Sequence, residues 1–318
     1  MAAAIQPGWS KPGTVLFASE IPVNERAFSF ALAEAAQFGA KLILFHADEN
    51  VGIAASQKFW FRRDGLARPL AEEGCFEPLA LRAANLGVQC SVVIRPGPAA
   101  EQILAFLHER KIDRVVMGAH SPGPVGKLLV GSVAEAVLRN SSVPVSIVGP
   151  YVVEGAYRNL ADRTILCSAC PQKSGCAVTR FAAELAARHN ARLILQHVIP
   201  PQERAEALAG RTLPQMEAEL HSLVPDRLQG KLDVRTRAVL GDPTEELLYQ
   251  GRVQHANLIV LGAQGASQFA AVSRAGIVYK VLAYAHCPVI TLSPVLLAEC
   301  GAAEERPRTS ELCLAGVF

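Results

Sequence analysis

Residues 115–119 of this chain read Val-Val-Met-Gly-Ala, and residues 259–263 read Ile-Val-Leu-Gly-Ala. The two pentapeptides lie 144 positions apart, and the same offset relates Gly97 to Gly241. Two earlier pairs of segments repeat at offsets of 150 and 151 positions: residues 14–18 with 164–168, and residues 41–46 with 192–197. A period of this length predicts two whole domains in tandem rather than a solenoid of short repeats. We call the two repeats copy one and copy two.

The length of the chain agrees with two domains. It has 318 residues, and a domain typically spans about 150 residues. We expect a first domain over residues 1–154, a second over residues 155–294, and a C-terminal tail over residues 295–318.

The composition is that of a folded chain with little net charge. Half of the residues are hydrophobic and 19% are charged, which excludes a largely disordered chain. A formal charge of +2 argues against a dedicated nucleic-acid-binding protein. No stretch reaches the roughly 18 consecutive apolar residues of a membrane helix, and the first residues do not resemble a signal peptide. We therefore expect a cytoplasmic protein that binds neither membrane nor nucleic acid.

Short apolar runs alternate with helical patterns along each copy. In copy one, runs rich in β-branched residues cover residues 15–18, 42–45, 91–94, 114–117 and 145–148. A helical pattern lies between the first two runs, with Gly39 after it as the predicted C-cap. Continuously apolar strands are typical of a parallel sheet covered on both faces. The predicted fold class is therefore α/β, with two tandem doubly wound parallel-sheet domains of the Rossmann-like type.

A glycine-rich loop follows the fourth strand of copy one. Ligands of doubly wound sheets bind beyond the carboxyl ends of the strands. The loop runs from Gly118 through Lys127 to Gly131 and Ser132, where a helix is predicted to begin. Free backbone N–H groups and the helix dipole favour an anion at such a helix start. Spacing alone leaves open a second interpretation, a glycine-rich turn with a serine N-cap and no ligand.

These residues resemble a motif of the universal stress protein family. Its nucleotide-binding members carry the pattern Gly-x2-Gly-x9-Gly-Ser/Thr after the fourth strand. The matching positions are Gly118, Ser121, Gly131 and Ser132 in copy one, and Gly262, Gly265, Ala275 and Gly276 in copy two. Copy one therefore departs from the pattern at one position and copy two at both closing positions.

Other positions extend the resemblance over residues 13–150 and 160–294. Glu20 and Cys170 stand where the family usually has an aspartate near the nucleotide. His46 and His197 match a histidine that often closes the second strand. The resemblance implies an adenine-nucleotide alpha-hydrolase-like fold with strand order 3-2-1-4-5. It also implies pairing through the fifth strands, which joins the two halves of one chain or, between chains, forms a homodimer.

The resemblance also implies a ligand, ATP or AMP, with Mg2+ as its companion ion. The candidate binding residues are Glu20, Gly118, Ser121, Lys127, Gly131 and Ser132, all in copy one. The phosphates are expected on Gly131 and Ser132. Glu20 is expected to hold a ribose hydroxyl or the magnesium ion, and its alternative role is a charge at a helix start. We assign no catalytic residue and no metal ligand of the protein's own.

Three functions follow, in this order. The first is a stress-response protein regulated by a nucleotide bound in copy one. The second is an interaction or scaffold module without a nucleotide, which the departures at Ser121, Cys170, Ala275 and Gly276 favour. The third is a weak ATPase, for which the sequence offers no clear base. His46 and His120 have no obvious carboxylate partner, so we interpret them as hydrogen-bonded histidines at the strand edge.

Two further motifs have both a functional and a structural interpretation. Cys167 and Cys170 form a lone CxxC, which is a redox pair, half of a metal site, or a buried strand cysteine followed by one at the strand end. The aromatic and basic residues 58–63 either bind an unidentified protein partner or belong to a helix that buries its aromatic rings.

Overall fold

A computed structural model describes residues 7–49, 73–119, 131–153, 163–171, 173–262 and 276–298 of the protein. The strands of copy one are β1 (Thr14–Ala18), β2 (Lys41–Asp48), β3 (Cys90–Pro96), β4 (Arg114–Gly118) and β5 (Val145–Val148). Those of copy two are β6 (Thr164–Ser168), β7 (Arg192–Ile199), β8 (Val234–Leu240), β9 (Leu258–Gly262) and β10 (Val289–Leu292). Each apolar run expected in copy one lies within one of these strands.

Helices connect the strands in both copies. Copy one has α1 (Pro7–Ser10), α2 (Glu25–Phe38), α3 (Glu73–Asn85), α4 (Ala99–Glu109) and α5 (Ser132–Asn140). Copy two has α6 (Lys173–His189), α7 (Arg204–Ala207), α8 (Leu213–Ser222), α9 (Pro243–Val253) and α10 (Ile277–Tyr284). Short 3-10 turns cover Pro201–Glu203 and Asp226–Leu228. No helix in the described part of the chain is long and apolar enough to cross a membrane.

All ten strands form one sheet. Its order is β3-β2-β1-β4-β5-β10-β9-β6-β7-β8, so each half has the order 3-2-1-4-5 that the resemblance implies. Strands within a half are parallel. The fifth strands of the two halves are antiparallel, with Val289 opposite Ile147. We call this β5–β10 junction the seam. Because the two halves pair antiparallel there, the strands of copy one end at one edge of the sheet and the strands of copy two end at the opposite edge.

Apolar side chains cover both faces of the sheet, as the continuous strands predict. One core contains Phe17 and Phe28 of copy one together with Phe181 of copy two. The other contains Phe106 of copy one and Leu247 of copy two. Each core therefore includes residues of both halves, which binds the tandem repeat into one packed unit.

Two helix ends show how local sequence fixes these elements. Gly39 has φ +62° and its N–H reaches the carbonyls of Ala35 and Ala36, so the predicted C-cap of α2 is confirmed. Asp242 caps α9 by accepting from the N–H groups of Thr244 and Glu245 at 2.8 and 3.0 Å.

Copy one has a proline at the equivalent capping position. Pro98 precedes α4 and offers no side-chain cap. Glu49, which follows β2, instead accepts a hydrogen bond from the N–H of Ala99 at 3.0 Å. A carboxylate thus caps this helix in both copies, although in copy one it comes from another segment of the chain.

A buried polar cluster also joins the halves. We call it the seam cluster, and its members are Glu34, Gln37, Arg114, Arg163 and His189. Arg114 pairs with Glu34 and donates to the carbonyl of Trp9 at 2.5 Å. Arg163 of copy two donates to Gln37 Oε1 of copy one at 2.8 Å. These contacts fix α2 of copy one against copy two.

His189 is the central histidine of the seam cluster. Its Nδ1 lies 2.7 Å from Gln37 Nε2 and 2.5 Å from Arg163 Nη1. Both neighbours are donors, so Nδ1 must accept and the proton resides on Nε2. That Nε2 lies 4.0 Å from Glu34 Oε1. Burial, Arg163 and Arg114 together lower the pKa of His189 to about 3.

Candidate functional site

The first and fourth strands of copy one end side by side at the carboxyl edge of the sheet. β1 and β4 are parallel neighbours with Ala18 opposite Met117, so Ser19 and Gly118 leave the sheet side by side. After β1 the chain continues to β2 on one side, and after β4 it continues to β5 on the other side. This is the switch point of a doubly wound sheet, where such folds bind their ligands. We call it the copy-one edge.

A histidine hydrogen bond fixes the turn after β1. His46 Nδ1 lies 2.9 Å from the carbonyl oxygen of Ser19. Since a carbonyl only accepts, Nδ1 carries the proton. The N–H of Ser19 in turn donates to the carbonyl of Phe45 at 3.0 Å. The expectation of a hydrogen-bonded edge histidine is confirmed for His46, whereas His120 lies outside the described residues.

Copy two repeats this arrangement. His197 Nδ1 lies 3.0 Å from the carbonyl oxygen of Ala169, which holds the position of Ser19. Burial lowers the pKa of His197 below its ordinary value. Both histidines therefore tie the second strand to the turn after the first.

Asn24 is a residue of the copy-one edge that the sequence analysis did not identify. Its Oδ1 accepts from the N–H of Ala27 at 3.0 Å and caps α2. The same side chain lies over Gly118, where an added Cβ would come within 2.6 Å of Asn24 Cγ. Gly118 is therefore required by the cap of α2, besides its predicted place in a binding loop. An asparagine directly before a helical run was the available signal.

Glu20 lies in the exposed turn between β1 and α2. The start of α2 is occupied by Asn24 as its cap and by Glu25 as its first-turn acid. Glu25 therefore already supplies an acid at this helix start, and both roles of Glu20 stay predictions.

The helix after the predicted loop begins at the expected place. α5 starts at Ser132, which is exposed, and its N-cap is Gly131, which has no side chain to accept from the first turn. The first N–H groups of a helix lack intrahelical acceptors. Gly131 and Ser132 thus lie at a helix start after the fourth strand, and their part in binding a ligand stays a prediction. Ser121 and Lys127 lie outside the described residues.

At the corresponding edge of copy two, apolar side chains lie over the end of the fourth strand. A Cβ on Gly262, which ends β9, would lie 2.8 Å from Val178 Cγ2 and 3.5 Å from Leu297 Cδ1. Val178 and Leu297 are both buried. Leu297 belongs to a helical segment over residues 294–298, so the first residues of the expected tail pack against the domain. α10 begins after Gly276, without a hydroxyl at this position.

The CxxC pair is divided between a buried and a partly exposed cysteine. Cys167 lies inside β6, fully buried, and Cys170 lies just beyond the strand. Burial raises the pKa of Cys167 to about 12, with a smaller opposing effect of a hydrogen bond with Thr179. Across the described ranges, no group of three or more His, Cys, Asp or Glu side chains is arranged to hold a metal ion. The structural interpretation of the pair is therefore favoured. The aromatic and basic residues 58–63 lie outside the described ranges.

This architecture defines a class: tandem doubly wound α/β proteins in which two 3-2-1-4-5 halves join through their fifth strands. The sequence profile of the Universal stress protein family matches residues 13–149 and 163–293. The chain belongs to the universal stress protein family, and it carries two copies of the family's domain.

Individual relatives agree with this assignment. The chain is 33% identical to a universal stress protein of Thermus aquaticus over 126 residues, which cover 39% of this chain and 88% of the relative. A universal stress protein structure from Archaeoglobus fulgidus has a TM-score of 0.66 at 16% identity, covering 90% of this chain and 97% of that one. A Pseudomonas aeruginosa protein of unknown function has a TM-score of 0.63 at 15% identity, covering 93% and 99%. At these identities the structural likeness shows the fold alone.

Proposed function

We propose that this protein is an adenine-nucleotide-binding regulator of a stress response, and that copy one holds the nucleotide. The proposal is carried by the difference between the two edges. Gly131 and Ser132 present an exposed helix start beside the copy-one edge. In copy two, Val178 and Leu297 lie over Gly262, and the helix begins at Ile277 after its N-cap Gly276. Among the described residues, the first helical position carries a hydroxyl in copy one and an isoleucine side chain in copy two.

The phosphates would bind at the start of α5. Backbone N–H groups there provide donors, and the helix dipole favours negative charge. The Ser132 hydroxyl adds a donor that can reach a phosphate oxygen. Ser121 and Lys127 belong to the same proposed site through their place in the Gly118-x2-Ser121-x9-Gly131-Ser132 pattern.

Glu20 suits the ribose and phosphate part of a nucleotide that is bound together with Mg2+. Magnesium is commonly bound by one or two carboxylates together with the phosphates of a substrate. Glu20 supplies one carboxylate from the turn after β1. It can alternatively accept from a ribose hydroxyl, so the residue suits either role. Magnesium bound there would offset the charge of the phosphates.

Calorimetric titration with ATP and AMP, each with magnesium, tests the proposal. We expect binding to the wild-type chain and a loss of at least about tenfold in affinity for Ser132→Tyr, because a bulky ring would cover the donors at the helix start. Ile277→Tyr is the matched control, because Ile277 is the first residue of α10 as Ser132 is of α5, and it should bind like the wild type. Absence of heat for every nucleotide, with the chain folded, contradicts the proposal.

A second candidate function is an interaction module without a nucleotide. The observation that favours it is the packing of Asn24 against Gly118, which fills space beside the copy-one edge. Under this alternative, partner binding would be unchanged by Ser132→Tyr. The cytoplasmic location expected from the sequence stays a prediction.

A further inference from the structure

Helix α9 of copy two exposes a stripe of apolar and charged side chains. Tyr249 is 58% exposed and Val253 is 49% exposed. Glu245 and Arg252 are exposed on the same helix. Position 249 lies four residues after 245, and positions 252 and 253 lie three and four residues after 249, so all four share one face. The opposite face is occupied by the core residues Leu247 and Leu248.

The internal repeat shows that the fold does not require this stripe. The equivalent positions of α4, 144 residues earlier, are Glu101, Ala105, His108 and Glu109, and all four are exposed. Alanine and glutamate thus stand where copy two has Tyr249 and Val253. Since copy one forms the same helix with alanine and glutamate at these positions, the fold does not need a large exposed apolar side chain at either of them.

The helix that packs against α9 also exposes apolar side chains. α10 packs against α9 and exposes Ile277 and Tyr284, at 44% and 46%. Tyr284 stacks on Tyr151 of copy one, with ring centroids 6.1 Å apart and planes 12° apart. Exposed aromatic side chains grouped in this way are enriched at protein interfaces.

The charges of the stripe are self-complementary. Glu245 lies four residues before Tyr249, and Arg252 lies three residues after it. When two such helices cross antiparallel at Tyr249, Glu245 of each chain faces Arg252 of the other. The two tyrosines then meet at the centre, flanked by two opposite-charge pairs, which is the arrangement of a two-fold interface.

We propose that α9 is a self-association surface, and that its occupant is α9 of a second copy of this chain. The stripe of α4 is not suited to the same contact. An antiparallel crossing at Ala105 places Glu101 near His108 and Glu109 of the other chain, so carboxylates approach each other and no aromatic ring fills the centre. The charge pattern therefore favours α9 of copy two over α4 of copy one as the surface of self-association.

Sedimentation of the full chain over a concentration series tests this surface. The wild type should approach twice the 33.9 kDa of one chain as its concentration rises. Tyr249→Glu and Arg252→Glu should each weaken the association by about tenfold or more. Ala105→Glu, the matched change in copy one, should leave it unchanged. All three positions are exposed, so the variants should fold.

A charge reversal distinguishes a specific contact from nonspecific association. The double variant Glu245→Arg with Arg252→Glu restores both pairs in the opposite sense and should regain most of the association lost in Arg252→Glu. A wild-type chain that stays monomeric at every concentration overturns the proposal. A dimer that persists in Tyr249→Glu and in Arg252→Glu also overturns it. The same holds if the double variant associates as weakly as Arg252→Glu alone.

Discussion

Asn24 lies directly over Gly118, so that a Cβ on residue 118 would be 2.8 Å from Asn24 Cβ and 2.6 Å from its Cγ. Asn24 caps α2, and Gly118 ends β4. The start of the first long helix and the end of the fourth strand are therefore packed against each other. This contact shapes the edge at which we place the nucleotide.

Replacing Gly118 with alanine should displace Asn24. Because the clash involves the asparagine Cβ as well as its amide, rotation of the side chain cannot relieve it. We expect a loss of about 1 to 3 kcal/mol in the free energy of unfolding, measured in urea. Gly74→Ala is the control, because a Cβ there meets nothing within 4 Å. Equal stabilities of Gly118→Ala and the wild type would contradict the packing.

The N-cap of α4 should be transferable from Glu49 to position 98, which directly precedes the helix. Glu49→Ala should destabilise the chain by about 1 kcal/mol, because the N–H of Ala99 loses its acceptor. Pro98→Asp in that background should recover most of the loss. Pro98 has φ −60° and ψ 125°, close to the φ −76° and ψ 123° of the capping Asp242. Urea denaturation of the three proteins checks this, and a failure to recover would show that Glu49 acts otherwise.

The seam cluster should make stability depend on pH through His189. Its pKa is lowered to about 3 in the folded chain, below its ordinary value of 6.5. The unfolded chain therefore takes up the proton first, and the free energy of unfolding falls as the pH drops from 6.5 towards 3. The contribution of this group is at most about 1.4 kcal/mol per pH unit.

His189→Gln should remove that part of the slope. Glutamine can still accept from Gln37 and Arg163 but has no proton to gain in this range. The measurement is the free energy of unfolding at several pH values between 7 and 5. His108→Gln is the control, because His108 is exposed on α4. Parallel pH profiles for His189→Gln and the wild type would refute the assignment.

Cys167 should resist alkylation while the chain is folded. Its thiol is fully buried and its pKa is raised to about 12, so the reactive thiolate is scarce and inaccessible. Cys75, which is exposed on α3, is the internal control and should react readily. Mass spectrometry of peptides after brief iodoacetamide treatment compares the two. Rapid labelling of Cys167, or its disulfide with Cys170, would revive the redox interpretation.

The parts of the fold that sequence predicted best depend on local patterns. Apolar runs located the strands of copy one, and Gly39 located the end of α2 because a left-handed C-cap needs glycine. The expected helix start at Gly131 and Ser132 is likewise local. Repetition of whole segments at 144 and 150 positions indicated the tandem arrangement directly.

The contacts that sequence analysis missed join distant residues. Glu49 and Ala99 are 50 positions apart, and Gln37 and His189 are 152 apart. Periodicity reports which face of an element is buried, but it does not report which polar partner arrives from another element. The apolar cover of Gly262 was hidden for the same reason, since Leu297 reaches it from beyond the last strand.

Native mass spectrometry of the full chain, titrated with ATP and magnesium, tests the central claim most directly. We expect one nucleotide per chain, lost in Ser132→Tyr and kept in Ile277→Tyr. Two nucleotides per chain would contradict the assignment of the site to copy one alone. No bound nucleotide at saturating ATP would contradict nucleotide regulation itself and leave the interaction module as the function.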